Sequence, residues 1–288
     1  MPDWTTFTAF AAVTTVLVLL LARASQSMLA RTDQPESQTD ADDSGQPGND
    51  GRAAAPGDVP ASTESATTSA ESTMTTAEPE LTTTALLANV AVSQGAFLLL
   101  IGLGAWLFGV PAWAFGVDEA TVGVDLVGLG LVAGVLLYLG NEAAAAIGKR
   151  HGFTGSEELR RRLAPDTVVG WFALLFVVLP LIAVFEEVLF RGALIGVAAA
   201  GFDVSPWLLA VVSSVAFGFG HGAQGKLGIV VTGVLGFLLA ALFIASGSLL
   251  LVIVAHYVVN VLEFLVHEAL GWEPFDGDPR PDARPNAS

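Results

Sequence analysis

Residues 168–200 read VVGWFALLFVVLPLIAVFEEVLFRGALIGVAAA, an apolar run whose charged members are Glu186, Glu187 and Arg191. A helix needs roughly 20 residues, at about 1.5 Å each, to cross about 30 Å of hydrocarbon, so the stretch is long enough to span a bilayer. A charged side chain near the bilayer centre costs about 2.5–3.5 kcal/mol on insertion scales. Three of them together are therefore not expected for packing alone. Glu187 and Arg191, four residues apart on one helical face, read as a structural ion pair. Glu186 is rotated about 100° from Glu187, so it is expected to point elsewhere in the bundle without a local partner. A carboxylate desolvated in this way suits a general base acting on water.

Further apolar runs occupy residues 4–22, 83–110, 121–147, 205–220, 227–245 and 248–270. Together they predict an all-α fold, a polytopic membrane helix bundle of seven to eight transmembrane helices and a multi-pass protein of the cell membrane. The 31 glycines suit this reading, because small residues let membrane helices approach closely. Run 4–22 carries Asp3 and no basic residue before it, and Arg23 follows it directly, so it reads as a retained helix rather than a cleaved signal.

The chain has 288 residues, 53% hydrophobic and 14% charged, yet its formal net charge is -16. Residues 31–80 reconcile the two figures, holding eleven of the 28 carboxylates against Arg31 and Arg52. This tract is rich in Ser, Thr, Gly, Pro and Ala and has no aromatic residue, so it cannot bury enough surface to order itself. The expected organisation is an N-terminal membrane helix at 1–25, a disordered acidic linker at 26–82, and accessory membrane helices with a cytoplasmic loop at 83–165. A functional helix bundle at 166–271 and a disordered tail at 272–288 complete it. No clustered basic patch exists to neutralise phosphates, so no nucleic-acid partner is expected. With no cysteine, a disulfide, a thiolate metal site and a cysteine nucleophile are all excluded.

Lys149, Arg150, Arg160, Arg161 and Arg162 flank one connection, and Lys226 lies in another, whereas the connections at 111–120 and 201–206 contain neither Lys nor Arg. The positive-inside tendency places the basic connections in the cytoplasm, with the N-terminus outside.

Two more polar insertions interrupt apolar helices: Phe217-Gly-Phe-Gly-His221 ends one run, and His256-Tyr-Val-Val-Asn260 lies in the last, with His256 and Asn260 on one face. Glu186, His221 and His256 can hold a divalent metal such as zinc or position a water, while Asn260 can donate to a developing oxyanion. Ser213, Ser214, Ser246 and Ser248 lack a nucleophile-elbow context, and no His-Glu-x-x-His helix occurs. His151 and His267 are expected to be solvated, and Glu263 and Glu268 to approach a helix end.

The ordered set Glu186-Glu187-x-x-x-Arg191, Phe217-x-x-x-His221 and His256-x-x-x-Asn260 resembles the CPBP family. That family comprises CAAX prenyl endopeptidases and bacteriocin-processing enzymes, also called the Abi family, and consists of intramembrane proteases. The resemblance covers about residues 166–270. It implies an endopeptidase acting on a membrane-associated protein or peptide, with Glu186 and His221 activating water, His256 and Asn260 stabilising the oxyanion, and Glu187 with Arg191 bracing the site. Family members are described both as metalloproteases and as glutamate-dependent enzymes. The alternatives are a non-catalytic immunity or interaction protein on the same fold, or a proton-coupled transporter. His221 is expected at the cytoplasmic end of its helix and His256 in the outer half of the last, so sharing a site requires an irregular bundle.

Overall fold

The computed structural model describes residues 1–32, 82–151 and 158–272. The acidic linker and the tail, apart from their ends, lie outside these residues. The described chain is helical: α1 Trp4–Thr32, α2 Thr83–Leu107, α3 Val124–Arg150, the short α4 Glu158–Leu163, α5 Val168–Phe202, α6 Pro206–Gly220, α7 Gly225–Ser246 and α8 Leu249–Ala269. Among the described residues, six helices are long and apolar enough to cross a membrane, and α6 is a seventh, shorter apolar helix. Large apolar side chains such as Leu99, Val132, Phe176, Val212 and Val230 face outward. In water such a surface would be a severe liability, and in lipid it is the expected one.

α1 runs to Thr32, past the boundary near residue 25 expected from composition. It is built into the bundle rather than laid on it. Phe7 and Ala11 are fully buried in the main core, where Phe7 meets Phe115 edge-on at 5.6 Å. At its start Asp3 accepts from the amide and hydroxyl of Thr6, capping the first turn.

α5 is one helix in spite of Pro180. A proline inside a helix removes an N–H and crowds the carbonyl four residues back. Just before it the chain widens into a π-helical turn over Leu174–Val178, closed by the Leu179 N–H donating to the Leu174 carbonyl. A second π-helical stretch covers Val188–Val197, directly after the two glutamates, and a third covers Leu265–Ala269 in α8. Such insertions occur often at functional sites, because they change which face a side chain leaves from.

α3 and α8 pack closely. A Cβ added at Gly130 would lie 2.8 Å from the Leu251 carbonyl oxygen, and one at Gly134 would lie 2.7 Å from that of Ala255. The two glycines, four apart, let the backbones meet as small-residue motifs do in membranes. The same contact carries the later part of α3, with Asn141 and Glu142, alongside the last turns of α8.

α6 is short. Its 15 residues rise about 22 Å, less than the hydrocarbon thickness. His221 caps it, and the chain reverses through Gly222–Gln224 into α7. A truncated α6 is what allows His221 to reach the same cavity as His256.

Candidate active site

Glu187 is fully buried and Arg191 nearly so, and Arg191 Nη1 donates to Glu187 Oε1 at 2.7 Å. Arg191 Nη2 donates to the Gly236 carbonyl of α7 at 2.8 Å, and the guanidinium lies over the Phe217 ring, 4.6 Å from its centroid. A buried ion pair holds only when further partners replace the lost water, and here a carbonyl and an aromatic face supply them. Gly236 makes room for this contact, since a Cβ there would come within 3.0 Å of Phe217 and 3.5 Å of Arg191 Nη2.

The same Glu187 Oε1 accepts from His256 Nδ1 at 2.7 Å. A carboxylate in that contact accepts from Nδ1 and fixes the ring's orientation, as a carboxylate does behind a catalytic histidine. Facing Nε2 at 3.6 Å is Oε2 of Glu186, a buried atom with no hydrogen-bond partner among the described residues. The two adjacent glutamates thus bracket one imidazole. Glu186 does not point elsewhere in the bundle, as helical rotation alone suggested, because α8 packs across the face of α5 that both carboxylates border.

His221 is anchored in a similar way. Its Nδ1 lies 2.9 Å from the Phe217 carbonyl oxygen, which can only accept, so Nδ1 carries the proton and Nε2 the lone pair. Phe217 sits centrally, with ring centroids 4.6 Å from His221, 5.9 Å from His256 and 5.1 Å from Phe190. Ser213 and Ser214 are buried and donate to the Phe190 and Ala210 carbonyls, which leaves them as packing groups.

A cavity of about 290 Å³ is lined by Phe217, His221, His256 and Asn260. Glu186, Glu187 and Arg191 stand behind that wall, and Glu186 reaches the space beside His256 Nε2. The same cavity is also lined by Asn141, Glu142, Lys149, Arg160, Glu263 and His267. Sequence reasoning missed this second polar group. His267 is buried, not solvated, and its Nε2 lies 3.0 Å from Glu142 Oε1 and 3.6 Å from Glu263 Oε2. Glu263 accepts from Asn141 at 2.7 Å and pairs with Arg160 at 3.1 Å, while Arg160 also pairs with Glu268 at 2.8 Å. The missed signal was spacing: His256, Asn260, Glu263 and His267 follow at four, three and four residues, one stripe along a single helix. His151, by contrast, is exposed, with Nδ1 on the Ile147 carbonyl.

Donor atoms of Glu186, His221 and His256 do not all come within 4.8 Å of one another. Among the described residues, the set that does is Glu142, Glu263 and His267. The metal-ligand trio suggested by sequence therefore does not fit, since His221 is held through Phe217 on a different helix end.

Residues 168–262 match the family model described as type II CAAX prenyl endopeptidase Rce1-like. They form an Rce1-like domain, consistent with a CPBP-family intramembrane protease. The matched segment contains all seven motif positions from Glu186 to Asn260, whereas Glu142, Arg160, Glu263 and His267 fall outside it. No curated protein and no solved structure matches the chain. Six helices among the described residues are long and apolar enough to cross a membrane, three of them in or overlapping the matched segment, so this is a multi-pass membrane protein.

Proposed function

We propose that the protein is an intramembrane endopeptidase that hydrolyses a peptide bond in a membrane-associated protein or peptide, a CAAX-type or related processing reaction. The observation that carries this reading is one imidazole held between two adjacent glutamates at the wall of a cavity: His256 with Glu187 at 2.7 Å and Glu186 at 3.6 Å.

In this mechanism a water beside Glu186 and His221 Nε2 attacks the scissile carbonyl, and Glu186 takes its proton. The carbonyl oxygen becomes an oxyanion that accepts from Asn260 Nδ2–H and His256 Nε2–H. Collapse breaks the C–N bond, and the proton held by Glu186 goes to the leaving amine. Glu187, braced by Arg191, keeps His256 in the orientation this requires. No step passes through a metal.

The test is cleavage of a membrane-anchored CAAX peptide by purified protein in liposomes. Glu186→Gln is expected to lower the rate by about 10²–10⁴ while leaving the melting temperature unchanged. Cleavage at the wild-type rate by that variant would sink the proposal. Comparing peptides in a strain carrying Glu186→Ala with its parent would then identify natural substrates as those that accumulate uncleaved.

A further inference from the structure

Glu142 on α3 and Glu263 with His267 on α8 form a second constellation in the same cavity, outside the matched family segment. From His256 to Glu263 the chain climbs seven residues, about 10 Å along the helix, so the two groups are separate along α8. We propose that Glu142, Glu263 and His267 bind a divalent transition-metal ion, with zinc the best match to two carboxylates and one imidazole.

Geometry is the first support. Zinc bonds of about 2.0–2.2 Å to oxygen and nitrogen set tetrahedral ligand atoms about 3.3 Å apart. His267 Nε2 lies 3.0 Å from Glu142 Oε1 and 3.6 Å from Glu263 Oε2, which brackets that spacing. All three donors lie within 4.8 Å of one another.

The surroundings are the second support. Metal-binding carboxylates are usually oriented by hydrogen bonds from outside the ligand set. Asn141 Nδ2 donates to Glu263 Oε1 at 2.7 Å, and Arg160, itself tied to Glu268, donates to Glu263 Oε2 at 3.1 Å. The backbone is shaped for the purpose too. His267 follows Glu263 by four residues on one face of α8, and the close approach at Gly130 and Gly134 brings Glu142 against it. Glu142, Glu263 and Glu268 meet one guanidinium here, that of Arg160, so negative charge is left over for a divalent cation to offset. The bordering cavity leaves room for a fourth ligand from water or substrate.

The experiment is metal binding by the full-length protein in detergent, stripped with chelator and titrated with Zn²⁺ and, for its visible spectrum, Co²⁺. One equivalent is expected to bind. Glu142→Gln and His267→Gln should each raise Kd by at least about 100-fold, and Asn141→Ala by about 10-fold. Glu186→Gln and His256→Gln should retain the ion, so the result stands apart from the cleavage test. X-ray absorption on the zinc-loaded wild type, which needs no variant to fold, should show one imidazole among oxygen ligands. Absence of saturable binding, two imidazoles on zinc, or loss of the ion in Glu186→Gln with retention in His267→Gln would each overturn the proposal.

Discussion

Arg191 makes three kinds of contact at once, a salt bridge to Glu187, a hydrogen bond to Gly236 and a face contact with Phe217, all away from water. Removing it strands a buried carboxylate. Arg191→Met is therefore expected to destabilise the protein by about 3–5 kcal/mol, whereas Glu187→Gln with Arg191→Met together should cost clearly less. Thermal unfolding in detergent checks this, and a loss in the double variant equal to the sum of the Arg191→Met and Glu187→Gln losses would show that the pair is not coupled. At this scale the spacing of Glu187 and Arg191 was enough to pair them from sequence. The same spacing could not show that Glu187 also holds an imidazole, because His256 comes 69 residues later and arrives on its carboxylate only through packing. His267 was misjudged for the same reason: read alone it sits at a helix end, and its partner Glu142 is 125 residues away.

At the scale of elements, glycines decide where helices meet. A Cβ at Gly134 would lie 2.6 Å from the Val258 side chain and 2.7 Å from the Ala255 carbonyl oxygen, while one at Gly140, on the same helix, would meet nothing within 4 Å. Gly134→Ala is expected to lower stability by about 1–3 kcal/mol through overpacking, and Gly140→Ala to be neutral or slightly favourable. Unfolding midpoints of the two variants provide the comparison, and identical midpoints would contradict this packing. Phe7 marks α1 as part of the core. Phe7→Ala should cost about 3 kcal/mol, measured in the same way. The apolar runs located these helices well, except that the run at 168–200 is one helix through a proline, and α6 stops short of a full span. Both exceptions arise from backbone geometry, a π-helical turn and an early reversal, which hydropathy does not encode.

For the whole molecule, Lys149, Arg160 and Gln224 all line the cavity, so the basic connections and the turn after α6 gather beside it. The positive-inside tendency predicts that this side faces the cytoplasm. The chain has no cysteine, which makes single-cysteine labelling direct. Lys226→Cys should react with a membrane-impermeant maleimide only from the cytoplasmic side, and Ser205→Cys, at the exposed connection between α5 and α6, only from outside; the reverse pattern would invert the topology. What the sequence by itself determined was the solvent of the fold and the residue types of its chemistry, because hydrocarbon demands long apolar helices and makes every charge within them conspicuous. Beyond the pair Glu187 and Arg191, four residues apart, which charges meet was decided by tertiary structure. Glycine-mediated contact of α3 with α8, a shortened α6 and three π-helical turns set the direction of each side chain, and those depend on how helices pack rather than on the order of residues along any one of them.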